Sequence, residues 1–398
     1  MNALRKELYQ QASSLLFKGV RFADRNFWMP TQVSETINFR SRWKSWTRRE
    51  GQAKLWIHGA SVGELEDLAA FFLSDEALAL AGLSTPDLII TSASVSTESR
   101  LKKWAAEKSF LYCGPLPPDT KTDAAKFLSE FRPQNFLLSH NDFWPNAFLQ
   151  WRGSSYAENF YWYFKPKVFS PSRLELFGAM RPIYLGRSPG STLFADTLDV
   201  GNLRLDRVLS RISAARENAH VLDEWNATPP PGTPSILVGS CRLEDAQLIA
   251  KLDDAYFDAY HWIVLPHHTD NIAEVARINE LIGQRCRVVV TQGILVEAYK
   301  NFDLAWVGGG FSKSGSHNVL EAIAWGIPTI CGPNLAPQID APDYVAAGAL
   351  TPLADFAALD AYLRDKSWIT RQSEARAFAA RLAGDESRVR KLAKILAR

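Results

Sequence analysis

The sequence lacks several features that mark particular protein classes. Its four cysteines are widely scattered and form no Cys-x-x-Cys pair, which excludes a disulfide scaffold and a cysteine-rich zinc module and fits a reducing cytoplasm. No apolar run approaches the roughly 18–20 residues that a membrane-spanning helix needs, and there is no signal-peptide pattern. The net charge is only +2, from 45 Lys+Arg and 43 Asp+Glu, so bulk charge gives no argument for nucleic acid as a partner.

What remains is the composition of a globular chain, with 46% hydrophobic and 22% charged residues over 398 positions. That length is comfortable for two domains of roughly 200 residues each. Positive charge concentrates at the start, where residues 1–50 hold ten Lys/Arg and four Asp/Glu, a local balance of +6. Leu4, Leu8, Ala12, Leu15 and Leu16 recur there near helical spacing. This basic amphipathic helix either lies on an anionic membrane surface or packs on the protein's own core.

Apolar segments alternate with helical ones in two successive series, which predicts two parallel α/β sheets. Helices are predicted at Glu64–Leu73, near 203–225 and through the last 45 residues. The predicted strands are Lys54–His58, Asp87–Thr91, Asn135–Ser139 and Leu198–Gly201 in the first half, then Ser235–Gly239, Trp262–Pro266, Arg287–Thr291, Leu304–Val307 and Pro328–Cys331. Ligands of such sheets collect at the carboxyl ends of the strands, so we expect the chemistry in a cleft between the two domains.

Residues 59–63 read Gly-Ala-Ser-Val-Gly and follow the first predicted strand. The pattern matches the nucleophile elbow of serine hydrolases, with Ser61 as nucleophile. Ser61 and Glu64 also form a capping box for the next helix. A third interpretation is a catalytic Glu64, because the helix dipole favours the ionised carboxylate that a general base requires. The sequence leaves these three interpretations open.

A glycine-rich turn, Gly308–Gly310, follows the predicted strand Leu304–Val307. Ser316 and His317 occupy the positions where a P-loop needs Lys and Ser/Thr, which excludes a nucleoside triphosphatase of that class. The turn predicts a phosphate cradle of backbone N–H groups, although Asn318 and Glu321 also fit a simple helix cap.

Two further observations concern charge. Pro266 is followed by His267 and His268 at a predicted strand end, with no further ligand at metal-binding spacing, and the chain contains no Asp-x-Asp pair. The phosphate charge of a nucleotide sugar must therefore be met by amides and side chains. Arg242, His267, His268 and Lys313 are the cationic candidates.

Together these segments resemble the Kdo transferases, which attach 3-deoxy-D-manno-octulosonic acid (Kdo) to lipid A in Gram-negative bacteria. The resemblance runs from about residue 50 to 345. It is carried by residues 56–64, 116–119, 143–146, 200–206 and 307–321.

The resemblance implies an α/β GT-B fold of two Rossmann-like βαβ domains facing across a cleft. It also implies inverting, metal-independent transfer from CMP-Kdo, without a cofactor, to a lipid A precursor at the cytoplasmic face of the inner membrane. The expected domains are residues 1–200 for the acceptor and 201–380 for the nucleotide sugar, with a helix over 381–398 that packs back on the first domain.

The resemblance also assigns roles to residues. Glu64 falls on the family's general base. Residues expected to bind the nucleotide sugar are Ser240, Arg242, His267, His268, Gly309, Gly310, Lys313, Ser316, His317, Asn318 and Glu321. Residues expected to bind the acceptor are Ser61, Gly63, His140, Asp142 and Trp144.

Three positions depart from the family pattern. His140 replaces a glutamate, His267 replaces the arginine of a Pro-Arg-His motif, and Ile294 replaces a glutamate. The alternatives are therefore a catalytically altered paralogue, with another donor or acceptor or with binding only, and a hydrolase that uses Ser61.

Overall fold

The structure is a computed structural model, and it describes residues 11, 12, 14, 15, 31–139, 144–163, 182–186, 194–217, 230–336, 338 and 340–398. Most of the predicted N-terminal helix therefore lies outside the described residues. The chain divides into two compact units, one of Met1–Arg204 with Ser387–Arg398 and the other of Leu205–Glu386. The sequence predicts the domain boundary between residues 200 and 201, and in the structure the two units divide between residues 204 and 205.

The first unit contains a seven-stranded parallel sheet in the order β3-β2-β1-β4-β5-β6-β7. Its strands are β1 (Leu55–His58), β2 (Leu88–Ser92), β3 (Tyr112–Pro115), β4 (Asn135–Ser139), β5 (Phe160–Tyr163), β6 (Ile183–Tyr184) and β7 (Asp196–Thr197). The described helices up to residue 163 are α1 (Thr31–Ser41), α2 (Val62–Phe72), α3 (Asp75–Leu80), α4 (Glu98–Glu107), α5 (Lys121–Phe131) and α6 (Pro145–Arg152). Short 3-10 turns lie at Trp43–Ser45, Thr85–Asp87 and Val95–Thr97.

The second unit contains a six-stranded parallel sheet in the order β10-β9-β8-β11-β12-β13. Its strands are β8 (Ser235–Cys241), β9 (His261–Pro266), β10 (Arg287–Val288), β11 (Leu304–Val307), β12 (Thr329–Cys331) and β13 (Leu350–Pro352). The described helices after residue 203 are α7 (Arg204–Glu217), α8 (Leu243–Ile249), α9 (Ala255–Ala259), α10 (Ile272–Ile282), α11 (Leu295–Tyr299), α12 (Leu320–Ile323), α13 (Ala341–Ala346), α14 (Phe356–Arg364), α15 (Ser367–Gly384) and α16 (Arg388–Leu396).

The prediction of two parallel α/β sheets is confirmed, and most predicted strands agree within two residues. One predicted strand is wrong: residues 198–201 are irregular, and the last strand of the first sheet is β7. The predicted strand Arg287–Thr291 shortens to β10. The helix predicted through the last 45 residues is three helices, because a left-handed Lys366 and the segment 385–387 interrupt it.

Each sheet carries an apolar core on both faces, as parallel sheets require. In the first unit, Leu55 and Ile57 of β1 face one side, and Trp56 faces the other among Phe127, Phe136 and Trp151. In the second unit, alternate residues of β11 likewise face the apolar cores on the two sides of the sheet. Because both faces are covered, only the strand ends remain available for chemistry.

The C-terminal helix α16 belongs to the first unit, where it packs on α2 and α3 through Val389, Leu392 and Ala393. The side chain of Arg388 is buried and lies against Gly201, whose φ of +73° is a left-handed conformation that favours glycine. Three residues after Gly201, Arg204 makes a bidentate ion pair with the buried Asp67 of α2, and both nitrogen–oxygen distances are 3.0 Å.

Candidate active site

Ser61 is the N-cap of α2, and the predicted capping box is present. Its backbone is extended, with φ −128° and ψ 166°, and its Oγ accepts a hydrogen bond from the Glu64 N–H at 3.4 Å. In return, Glu64 Oε2 accepts the N–H groups of Ser61 at 3.2 Å and Ala60 at 2.5 Å. The Glu64 carboxylate is thus fixed at the start of α2, directly after the carboxyl end of β1.

The geometry does not support a nucleophile elbow at Ser61. An elbow places its serine on a strained turn, whereas the backbone of Ser61 is ordinary extended chain. In the part of the chain that the structure describes, no imidazole bonds the Ser61 hydroxyl. His58, the nearest histidine along the chain, is buried and meets the Thr91 hydroxyl through Nδ1 at 2.8 Å.

Two serines that sequence reasoning missed hold the turn that carries Glu64. Ser92, at the end of β2, donates its hydroxyl to the Ala60 carbonyl at 3.0 Å. Ser139, at the end of β4, donates to the Glu64 carbonyl at 3.0 Å. Because β2 and β4 flank β1 in the sheet, Glu64 lies at the carboxyl edge between the ends of these two strands. Gly63, the other predicted residue of this turn, has open space where a side chain would start.

The segments 116–119 and 144–146 meet in a buried polar cluster. The Asp119 carboxylate accepts the N–H groups of Asn146 at 3.1 Å and Ala147 at 2.9 Å, which caps the start of α6 from another part of the chain. The buried Arg40 lies with its guanidinium 3.8 Å from the centre of the half-buried Trp144 ring. His140 and Asp142, also predicted for the acceptor, lie outside the described residues.

In the second unit, the predicted donor residues follow the carboxyl ends of β8, β9 and β11. Ser240 has a φ of +55°, a conformation that only three non-glycine residues adopt in the described chain, and the β8–β9 register shifts there. A Cβ at Gly308 would collide with the Ser240 carbonyl oxygen and approach Asp245 Oδ2 at 2.7 Å. Glycine is therefore required at the position where β11 passes this turn.

Arg242 and His268 lie together after the carboxyl ends of β8 and β9. Arg242 Nη1 is 2.8 Å from His268 Nε2, and its Nε is 3.2 Å from Oε1 of Glu274 on α10. Sequence reasoning missed Glu274, which stands six residues beyond the histidine pair and carries no motif of its own. The ion pair holds the guanidinium beside Glu274, although the Arg242 Nε makes no hydrogen bond within the described residues.

His267 and His317 stack face to face, with ring centres 3.7 Å apart and planes 21° from parallel. Burial, and then neighbouring positive groups, lower the pKa of each imidazole to about 4. Both rings are therefore neutral near pH 7. With this pKa, His267 supplies no positive charge near pH 7, whereas the sequence marks it as a cationic candidate.

The glycine-rich loop uses some of its N–H groups internally. Gly309, with φ +85°, donates its N–H to Asp245 Oδ2 at 2.8 Å, and the His317 N–H bonds the Gly308 carbonyl at 3.0 Å. The N–H groups of Gly310 and Phe311 bond no acceptor among the described residues. The cradle that was expected of Gly309 and Gly310 is thus confined to positions after Gly309.

The far end of this loop is held by the segment after β12. Asn334 donates its N–H to the Gly310 carbonyl at 3.0 Å and its side-chain amide to the Ser312 carbonyl at 3.1 Å. Ser316 is buried, and its N–H bonds the Asn334 carbonyl at 2.8 Å. Lys313 is exposed at the tip.

Asn318 and Glu321 interact at the start of α12. Asn318 Nδ2 donates to Glu321 Oε1 at 3.0 Å, and Asn318 Oδ1 accepts the Leu320 N–H at 3.3 Å. The pair does not form the predicted cap, because the N-cap of the four-residue α12 is Val319, which makes no side-chain cap hydrogen bond. Glu321 is half-buried at the same strand-end region as His317.

No group of three or more His, Cys, Asp or Glu side chains is arranged to hold a metal ion in the described ranges. Within the same ranges, no helix combines the length and apolar character that crossing a bilayer requires.

Comparison with known proteins gives consistent results. The family model described as 3-deoxy-D-manno-octulosonic-acid transferase (kdotransferase) matches residues 36–156, which include Glu64. A 3-deoxy-D-manno-octulosonic acid transferase of Bordetella pertussis is 26% identical, with 75% of each chain covered. One of Aquifex aeolicus is 22% identical over 70% of this chain and 76% of its own length.

Solved structures agree on the fold. A glycosyltransferase of Rickettsia africae superposes with a TM-score of 0.56 at 11% identity, covering 87% of this chain and 98% of its own. With two Rossmann-like parallel sheets and these neighbours, the fold is that of GT-B glycosyltransferases.

Proposed function

This chain is a divergent member of the Kdo transferase family and a glycosyltransferase, and from that premise we propose that it transfers Kdo, or a related sugar acid, from a CMP-activated donor to a lipid A-type acceptor. The observation that carries the proposal is the Glu64 carboxylate, held by two backbone N–H groups at the carboxyl edge of the first sheet. It lies within the segment that the family model matches.

In the proposed reaction, Glu64 is the general base. A carboxylate has about four lone-pair positions, so amides can orient it through one oxygen while it accepts a proton. Glu64 takes the proton of the acceptor hydroxyl as that oxygen attacks the anomeric carbon. The bond to the CMP phosphate breaks, CMP leaves with the electron pair, and the anomeric configuration inverts. Base catalysis of this kind typically contributes about 10²–10⁴-fold.

The donor is proposed to bind at the strand ends of the second unit. The unengaged N–H groups of Gly310 and Phe311 and the oriented guanidinium of Arg242 supply hydrogen-bond donors and positive charge for the CMP phosphate and the sugar carboxylate. This arrangement needs no metal ion or cofactor in the proposed mechanism. His267 and His317 offer neutral imidazole nitrogens beside the same loop.

The proposed site of action is the cytoplasmic face of the inner membrane, where the acceptor is anchored. Basic side chains supply the attraction to anionic lipid. The described part of the basic N-terminal region contributes only some of its charge, because Arg42 pairs with Glu98 at 2.9 Å, Arg48 pairs with Glu130 at 3.0 Å, and Arg40 is buried.

A second candidate is a paralogue with a different donor. The observation in its favour is His267, which stands where the family has arginine and, with a pKa of about 4, supplies no fixed charge. A panel of CMP-activated sugar acids, offered in parallel with CMP-Kdo, separates the two candidates by which donor is consumed fastest.

The test is a transfer assay with CMP-Kdo and a lipid A precursor, followed by mass spectrometry of the lipid. We expect the acceptor to gain the mass of Kdo, with inversion at the anomeric carbon, in the presence of a metal chelator. If the protein binds CMP but transfers no sugar from any donor in the panel, the enzymatic proposal is overturned and the chain is a binding protein.

A further inference from the structure

Asp245 stands out among the buried residues of the second unit. It lies on α8, is 0% exposed, and was not singled out by any sequence motif. Its Oδ2 accepts two backbone N–H groups, that of Gly309 at 2.8 Å and that of Arg242 at 2.9 Å. Its Oδ1 is buried and bonds no partner within the described ranges. A buried carboxylate in this state is costly, which calls for a functional explanation.

The two N–H groups belong to the two halves of the proposed donor site. Gly309 begins the loop whose N–H groups at Gly310 and Phe311 are unengaged, and Arg242 carries the guanidinium that Glu274 and His268 orient. The Oδ2 atom therefore joins the loop to the β8–α8 turn just beyond the last backbone bond between β11 and β8, from the Gly308 N–H to the Gly239 carbonyl at 2.9 Å. The loop's far end is fixed separately by Asn334.

The glycines make this attachment possible. Asp245 Oδ2 would be 2.7 Å from a Cβ at Gly308, so a side chain there would displace it. A Cβ at Gly309 would be 2.7 Å from the Gly315 carbonyl and 2.9 Å from the His317 ring. The absence of side chains at 308 and 309 thus lets the loop close on the carboxylate and on the histidine stack.

We propose that Asp245 is a positioning residue for donor binding, which ties the glycine-rich loop to the Arg242 turn and so presents the Gly310 and Phe311 N–H groups and the Arg242 guanidinium to one anionic ligand. The inference rests on the proposed function, because that function places the donor phosphate at these groups. Asp245 does not touch the ligand. It acts by preorganisation, which strengthens binding because the loop is already ordered.

Two variants separate this role from general structural support. Asp245→Asn keeps an amide oxygen that can accept both N–H groups, whereas Asp245→Ala removes the acceptor. Asp303→Asn is the matched control, because the Asp303 carboxylate accepts the Ser235 N–H at 2.9 Å and the Ser235 hydroxyl at 3.0 Å at the start of β8, the opposite edge of the same sheet.

The first measurement is CMP affinity by titration calorimetry on the full chain. Asp245→Ala removes both hydrogen bonds and leaves the Gly309 and Arg242 N–H groups without an acceptor, which should weaken CMP binding about tenfold or more. Asp245→Asn should stay within about threefold of the wild type, since the acceptor oxygen rather than the charge is needed, and Asp303→Asn should be unchanged.

The second measurement is hydrogen exchange of the unliganded protein, followed by mass spectrometry. Peptides that cover 308–312 should exchange faster in Asp245→Ala than in the wild type, while peptides that cover β8 and β9 should not change. Unaltered CMP affinity and loop exchange in Asp245→Ala would overturn the inference. A wild type that binds no CMP would instead contradict the proposed function, and the loop exchange would still test whether Asp245 holds the loop.

Discussion

Replacing Asp245 by Asn should change how the stability of the protein depends on pH. Burial raises the pKa of the Asp245 carboxyl from the usual 3.8 to about 6, although the N–H groups of Gly309 and Arg242 oppose the shift. The other titratable groups that act on the pKa of Asp245 are the exposed Glu244, which raises it, and the guanidinium of Arg242, which lowers it.

The sign follows from where the proton binds more tightly. With a raised pKa, the folded protein binds the proton at Asp245 more tightly than the unfolded chain does. The resulting stabilisation is fully present below about pH 4 and is lost as the pH rises through about 6. A shift of roughly two units at about 1.4 kcal/mol per unit makes the loss about 3 kcal/mol. Asp245→Asn has no proton to lose, so it lacks this decline.

The assay is urea denaturation of the wild type and of Asp245→Asn between pH 4 and pH 8. His267 and His317, whose pKa values are lowered, act in the opposite direction, because their contribution is lost as the pH falls from 6.5 towards about 4. That contribution is common to both proteins and cancels in the difference. Asp245→Asn should gain about 3 kcal/mol relative to the wild type between pH 4 and 8. Glu244→Gln should show no such gain, and a flat difference for Asp245→Asn would refute the reasoning.

The remaining predictions concern the two turns at the strand ends. Ser61→Ala should lower the free energy of unfolding by about 1 kcal/mol through loss of the N-cap and should retain transfer. A fluorophosphonate probe should not label the wild type. If it does, and if Ser61→Ala abolishes the labelling, the serine hydrolase interpretation would be supported instead. Gly308→Ala should cost about 1–3 kcal/mol of stability and weaken CMP binding, because its Cβ meets Ser240 and Asp245. Gly384→Ala, where a Cβ meets open space, is its control, and equal CMP affinity in both variants would contradict the account.

Much of the fold could be predicted because buried parallel strands are nearly continuous apolar runs. Leu304–Val307 and Asn135–Ser139 agree residue for residue. The strands that were missed carry misleading residues. In β3, Gly114 and Pro115 suggest a turn, and in β5 four consecutive aromatic residues are all buried and show no alternation. Only the tertiary contacts on both faces identify such segments as strands.

The site could be predicted only where chemistry is local in the sequence. The capping box of Ser61 and Glu64 spans four residues, so the sequence contains all of it. Asp245 bonds a loop more than sixty positions away, and Glu274 pairs with Arg242, which lies 32 positions earlier in the chain. Likewise, the low pKa of His267 arises from burial and from His268, Arg242 and the packing of the fold. These features depend on which strand ends become neighbours.

The most direct test of the central claim compares Glu64→Gln with Glu66→Gln in the transfer assay with CMP-Kdo and a lipid A precursor. Glutamine can complete a capping box, so Glu64→Gln should keep the start of α2 while it removes the base. Glu66, two positions along the same helix, pairs with Arg100 at 2.8 Å, and Glu66→Gln should transfer Kdo normally. Glu64→Gln should lose at least about 10²-fold in transfer and bind CMP as the wild type does. Turnover by Glu64→Gln within a few-fold of the wild type would contradict the assignment of Glu64 as the base and, with it, the proposed mechanism.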